Sequence, residues 1–459
     1  MAENAVSMPP TPPYGVLRRR PRHPAQVVAI AFAVGILVGT VLLALPAARA
    51  GPGSAPLQVA TFTATSAVCV TGLVVTDTAT YWSTFGQVVI LLLIQVGGLG
   101  FMVLASLLAL AMSRRLGLRQ RLLAQTEINV TRLGETRRVL LGAAAFSLLF
   151  EALAAGVLTG RLWLGYGEPL GRAAWLGLFH AVSAFNNAGF GLYSDNLVRF
   201  VDDGWFSLTV TLTVIAGGLG FPVLIELIRL PTRPGQWSLH TKLTLTLTWV
   251  LLAAGTLAIL GFEWSNPSTL GRLDLPGKLL AGFFQGANPR TAGFNSVDYA
   301  AMGETSWLVT DILMFIGAGS AGTSGGIRVT TFAVLTLMVT AEARGLSTVN
   351  AFGRRIPPGA QRQALAVTLI GLGAVVAATL AITAQSGLPM SRTLFEAFSA
   401  FGTVGLTTGI TAQLPVPSQN ILILLMFLGR TGPITLATAL ALREREPRYR
   451  YPEERPIIG

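Results

Sequence analysis

Charge is scarce in this sequence: 12% of its 459 residues are Asp, Glu, Lys or Arg, while 52% are hydrophobic. A soluble domain carries roughly 25% charged residues. A chain this poor in them has too little polar surface to cover a globule in water, so a bilayer is its natural solvent. Cysteine is almost missing too. Cys69 stands alone, which rules out an intrachain disulfide framework. The three histidines, His23, His180 and His240, are far apart and make no metal-ligand motif. No H-E-x-x-H, P-loop or cysteine pair occurs, which leaves a membrane enzyme without a nucleophile, metal or cofactor signature.

The charge that is present is uneven. The formal net charge is +12, from 33 Lys+Arg against 21 Asp+Glu. The basic residues sit in short loops between apolar runs, which marks a cytoplasmic face and not a nucleic-acid site. They fall between Ser113 and Arg138, at Arg229, Arg233 and Lys242, at Arg344, Arg354, Arg355 and Arg362, and at Arg443, Arg445, Arg448, Arg450 and Arg455. This places both termini in the cytoplasm of a cell that carries the chain in its plasma membrane. Residues 1–24 read as a disordered cytoplasmic tail. Ala48-Arg49-Ala50 mimics a signal-cleavage site, but the apolar run before it is about 20 residues, longer than an h-region of about 7–15; a retained first helix is expected. Across the chain, Asp77, Asp195, Asp202, Asp203, Asp298 and Glu304 would either concentrate cations at a mouth or serve as ordinary solvated loop.

Apolar runs long enough to span lie near 25–46, 84–112, 139–160, 204–228, 241–262, 305–340, 363–385 and 418–442. Within each pair lies a shorter segment that ends in glycine followed by Leu or Phe: Gly72, Gly189, Gly293 and Gly405. A second glycine signal begins at Gly97, Gly217, Gly317 and Gly429, always 24–28 residues later. Two markers in register, four times over, make an internal repeat. The fold expected is an all-α polytopic membrane protein of four tandem helix–pore loop–helix units, eight transmembrane helices around a pseudo-fourfold pore. The units are 25–125, 126–235, 236–355 and 356–459.

A dehydrated cation needs oxygen ligands in place of water, and rings of backbone carbonyls supply them in potassium channels. Aiming successive carbonyls at one axis takes the backbone to positive φ, where glycine is cheap. Scattered small residues would only let helices approach closely; one glycine per repeat in fixed context asks for more. The candidate ion-binding positions are Val70, Thr71 and Gly72; Asn187, Ala188 and Gly189; Thr291, Ala292 and Gly293; and Thr403, Val404 and Gly405. The transported ion would sit at the four glycines.

Thr65–Leu73, Asn186–Phe190, Arg290–Asn295 and Gly402–Gly409 resemble the four filters of the Trk/Ktr/HKT superfamily of cation transporters. The likeness runs over nearly the whole chain after residue 25 and is nearest to the Ktr membrane subunit. It implies potassium uptake, a homodimer in the bilayer, and a cytosolic nucleotide-binding ring as gating partner. Any nucleotide would then act only through that partner, and a sodium requirement is compatible with the family. In the family a glycine in the first filter goes with potassium, and Gly72 meets that. The third repeat packs five glycines into Gly317–Gly326, a composition that breaks a helix. In the family this is an intramembrane gating loop, here 317–328 with Gly317, Gly319, Gly322, Gly325 and Gly326, and Arg430 matches the arginine beside it. Arg328 stands where lysine is common.

Glu151, Asp311, Glu396 and His180 fall inside spans. The expectation is that Glu151 and Asp311 pair with neighbours or cap a pore helix, and that His180 and Glu396 orient the filter and not the ion. The rival reading is an alternating-access transporter with ions bound between broken helices at midplane.

Overall fold

The computed structural model describes residues 24–113, 133–320 and 322–441, with side chains placed over 28–100, 141–320 and 322–432. The expectations for the N-terminal tail, for most of the arginine-rich loop after Ser113 and for the C-terminal arginines lie outside these residues.

The first unit is α1 (Pro24–Leu43), α2 (Leu57–Val68), a single turn α3 (Thr78–Tyr81) and α4 (Thr84–Ser113). The second is α5 (Leu133–Tyr166), α6 (Leu170–Phe185), α7 (Gly204–Leu219) and α8 (Phe221–Arg229). The third is α9 (Leu239–Glu263), α10 (Leu275–Ala287), α11 (Glu304–Ile316) and α12 (Val329–Ala343), and the fourth is α13 (Pro358–Ser386), α14 (Met390–Gly402) and α15 (Val416–Ala441). The four units of helix, pore helix and helix are therefore present. A two-stranded hairpin, β1 (Asn350–Ala351) with β2 (Arg354–Arg355), links the last two units.

The short helices α2, α6, α10 and α14 are set by their ends. Pro56, Pro169 and Pro389 stand at the N-caps of three of them, and Asp274 caps α10 by accepting from Gly277 N at 2.9 Å. Their lengths of 12 to 16 residues correspond to about 18–24 Å, short of a hydrocarbon core of about 30 Å. They also hold the centre of the molecule. Every residue from Phe62 to Leu73 is buried, whereas the flanking helices show apolar side chains outward, as at Leu37, Leu153, Leu257 and Leu369. Such a belt suits lipid and would be a liability in water.

A closed ring follows from the contacts between units. The second helix of each unit packs on the pore helix of the next: α4 on α6, α7 on α10, α11 on α14, and α15 back on α2. Helix α1 also packs on α15, which closes the outside of the ring.

Helices α9 and α13 and the Leu141–Tyr166 part of α5 are each long and apolar enough to cross a bilayer. The run at 204–228, expected as one span, is instead two helices bent by 98°. Gly220 at the bend has φ +87°, and Pro222 at the start of α8 has no N–H for a continuing helix. The second glycine signals of units one and four do not break their helices: α4 and α15 run through Gly97 and Gly429. There the missing side chain permits contact. A Cβ on Gly97, Gly217 or Gly429 would overlap the carbonyl oxygen of Val68, Phe185 or Phe401, at the C-terminal end of the unit's own pore helix.

Candidate functional site

Each pore helix ends in the same backbone turn. After α2, Val70 has φ +56° and Gly72 +93°; after α6, Asn187 has +58° and Gly189 +70°. After α10, Thr291 has +95° and Gly293 +73°; after α14, Thr403 has +49° and Gly405 +97°. Left-handed residues thus alternate with ordinary ones in all four turns. In a regular strand successive peptide units face opposite sides; left-handed φ at every second residue turns them toward one side. Half of these positions are not glycine, and three carry β-branched side chains, where φ above zero is strained by about 1–3 kcal/mol each.

The four turns meet. A Cβ on Gly72 would touch the Ala188 carbonyl and lie 3.0 Å from Gly189 Cα. One on Gly189 would lie 2.9 Å from both Ala292 O and Gly293 Cα. One on Gly293 would overlap Val404 O, and one on Gly405 would overlap Thr71 O and lie 3.0 Å from Gly72 Cα. So the carbonyls of Thr71, Ala188, Ala292 and Val404 each face the glycine of a neighbouring turn around a closed ring. No side chain larger than hydrogen fits at these four places. The twelve candidate positions are all within these turns and all buried.

What holds the strained turns is partly a serine that sequence reading passed over. Ser66 accepts Thr71 N on its carbonyl at 2.8 Å and Gly72 N on its hydroxyl at 3.0 Å. Ser399 does the same for Val404 N at 2.8 Å and Gly405 N at 3.1 Å. Ser183 accepts Ala188 N at 2.7 Å. Each serine stands six residues before its glycine, a spacing visible in the repeats; the third unit has Ala287 there, and Ala292 N bonds to Asn288 O at 2.9 Å instead.

The chain leaving each turn is also tied back. His180 Nε2 accepts from Leu192 N at 3.3 Å, while Nδ1 meets Leu176 O at 2.7 Å. Glu396 accepts from Thr407 Oγ1, from Thr408 N at 3.3 Å and from Thr411 Oγ1 at 2.9 Å. Both residues face the backbone that follows a turn. Glu151 accepts from Gln95, Ser147 and the pore-helix cap Asn186, so it joins two units. Asp311 is buried, and its Oδ1 has no hydrogen-bond partner among the described residues; the expected neighbour pairing is not found for it.

The acidic residues beyond the turns are mostly engaged. Asp77 caps α3 and accepts from Ser194 across units. Asp195 pairs with Arg199 at 2.8 Å, and Asp298 caps a turn through Ala300 N. Asp203 caps α7 and pairs with Arg161 at 2.8 Å. Burial pushes its carboxyl up, but hydrogen bonds from Arg161, Phe206 N–H and Tyr166 outweigh that and leave it below the usual carboxylate range.

Between α11 and α12 the helix is interrupted from Gly317 to Arg328, under the ring of turns. Gly317, Gly326 and Arg328 have φ of +72°, +71° and +81°. Glycine is required at several points: a Cβ on Gly319 or Gly322 would lie 2.6 Å from the carbonyl oxygen of Leu219 or Gly218, and one on Gly325 would overlap Thr403 of the fourth turn. Arg430, buried on α15, donates to Thr323 O in this segment and to Gly97 O of α4 at 3.2 Å. Arg328 donates to Gly319 O at 3.3 Å and to Ser324 Oγ at 2.7 Å, which fixes the segment's own shape.

Residues 22–449 match the TrkH cation transport protein family. The chain is 44% identical over 436 residues to Ktr system potassium uptake protein B of Bacillus subtilis, covering 95% of this chain and 97% of that protein. It is 38% identical to the protein of the same name from Vibrio alginolyticus, over 95% and 94% of the two chains. It is 34% identical to potassium/sodium uptake protein NtpJ of Enterococcus hirae, over 97% and 100%. Among solved structures, the potassium transporter TrkH from Vibrio parahaemolyticus superposes with a TM-score of 0.72 at 17% identity, over 93% of this chain and 86% of that one.

Proposed function

Because the chain belongs to the TrkH family of cation transport proteins, which are membrane transporters and not enzymes, we propose that it is the ion-translocating membrane subunit of a potassium uptake system. The observation that carries this reading is the closed ring of four glycines, each facing the carbonyl that precedes the glycine of a neighbouring turn. Four carbonyls directed at one axis replace the water of a dehydrated cation without adding a fixed charge, and the ion can leave again. Potassium as the cargo is supported by Gly72 in the first turn and by the names of relatives 38–44% identical over nearly their whole length. Sodium enters as a second transported or coupling ion, on the strength of the potassium/sodium relative at 34% identity.

Residues 317–328 serve as the intramembrane gate in this reading. They lie against the turns, five of them are glycine, which tolerates more backbone conformations than any other residue, and Arg430 holds them closed by a charge-assisted bond to Thr323 O. A cation has to pass that fixed positive charge, so moving the segment and its arginine contact together opens the path. A cytosolic nucleotide-binding ring would move it, and the subunit would work as a homodimer. A further component is supported by the "system" in the names of two relatives; the nucleotide-binding ring and the homodimer rest on the family likeness alone.

The test is rubidium uptake by the purified protein in liposomes loaded with potassium, with sodium and lithium as competitors, beside Gly405→Ser. Uptake blocked by external potassium but not by the smaller ions, with that preference weakened at least about tenfold in the variant, is expected. Uptake indifferent to the substitution would move the site away from the ring.

A further inference from the structure

Arg290 is the only charged residue in 69–73, 186–190, 290–294 and 402–406, the turns with the residue before each. It stands directly before the left-handed Thr291 and is buried. Its guanidinium donates through Nε to Gly317 O at 3.4 Å, through Nη1 to Thr248 O at 3.1 Å and through Nη2 to Thr248 Oγ1 at 3.2 Å. None of these acceptors is a carboxylate, so carbonyl dipoles and one hydroxyl hold a whole charge beside a cation path. Burying a charge on such terms is costly, and stability alone would be served as well by an apolar side chain. Gly317 is where α11 stops and the interrupted segment begins. Thr291 flanks the same joint, since a Cβ on Gly317 would lie 3.6 Å from Thr291 Cγ2. A small cavity lined by Asn187, Thr248 and Ala318 also borders Arg290, which leaves room for the side chain to shift.

We propose that Arg290 is a positioning residue that couples ion occupancy of the third turn to the conformation of the 317–328 segment. The inference rests on the reading of the turns as a cation site. An ion at the ring draws on the carbonyls of residues 291 and 292, and the backbone of residue 290 moves with them. The planar guanidinium is anchored on α9 through Thr248 and passes that movement to the Gly317 carbonyl, at the hinge of the segment. Lysine would keep the charge and lose the fork, because a single ammonium cannot hold Thr248 and Gly317 in the same fixed geometry. Elsewhere the segment lies against Thr403 of the fourth turn at Gly325, and Thr323 Oγ1 donates to Phe185 O at the end of α6 at 3.4 Å.

The test is amide hydrogen exchange of the full chain in lipid nanodiscs, in potassium, sodium and N-methylglucamine chlorides. Wild type, Arg290→Lys, Arg290→Gln and Thr248→Val are compared. In wild type, potassium is expected to slow exchange in peptides covering both 290–295 and 317–328. Both Arg290 variants should keep the first effect and lose about tenfold of the second, the worth of a hydrogen bond to a charged group. Thr248→Val, which removes one acceptor only, should lose part of it. A loop response in Arg290→Lys equal to wild type overturns the proposal. So does a wild type whose turns respond to potassium while the segment does not, which leaves the cation site standing. Turns that ignore potassium sink the cation-site reading and this inference together. If the Arg290 variants do not fold, an unchanged response in Thr248→Val is sufficient to reject the coupling.

Discussion

At the scale of single residues, the turns depend on a few hydrogen bonds that hold unfavourable backbone in place. Ser399→Ala removes the acceptor of Gly405 N–H and leaves a buried donor unmet. The variant should lose about 1–3 kcal/mol of stability and discriminate potassium from sodium less well, read by thermal unfolding and by competition in rubidium uptake. A stability loss with selectivity untouched would mean that the serine only supports the fold. The glycines of these turns were legible in the sequence because no other residue takes positive φ cheaply. Val70, Asn187, Thr291 and Thr403 were placed among the candidates, but nothing local announces that they too are left-handed. Their conformation is imposed by the pore helix behind them and the neighbouring turn in front. The supporting serines were in plain view six residues upstream, yet a serine near a helix end has many uses, and its role became clear only once Gly72 N and Gly405 N were seen to need an acceptor.

At the scale of elements, glycine serves two separate ends. Gly429 lies where a Cβ would overlap the Phe401 carbonyl, whereas Gly373 of α13 has nothing within 4 Å. Gly429→Ala should therefore lower the unfolding temperature, by the about 1–3 kcal/mol typical of overpacking. Gly373→Ala should raise it, since alanine is the better helix former by about 1 kcal/mol. Equal effects would show that close contact does not decide the matter. The spacing of the glycine signals revealed four copies of one element, but it could not separate a hinge from a packing site. Gly97 and Gly429 sit inside unbroken helices; Gly220, with Pro222 beyond it, makes the bend of 98°. The interruption at Gly317–Arg328 was legible because five glycines in so short a stretch overwhelm helix propensity, while its hydrogen bonds from Arg290 and Arg430 are tertiary contacts with no sequence periodicity.

At the scale of the whole molecule, the closed order of contacts, each unit's second helix on the next unit's pore helix, converts a linear repeat into a ring. The low charge and the lipid-facing leucines suit a bilayer around it. The acids beyond the turns, by contrast, are mostly occupied as caps and ion partners at Asp77, Asp195, Asp203 and Asp298, and the cation site proposed is the carbonyl ring itself. The fourfold arrangement was legible from composition and register, since both follow from what a membrane and a cation demand of any chain. The most direct measurement is anomalous diffraction from crystals grown with thallium in place of potassium. The account expects a peak on the axis of the ring, bound by the carbonyl oxygens of Thr71, Ala188, Ala292 and Val404, and displaced when potassium is added back. Thallium bound only elsewhere, with the ring empty, would contradict it.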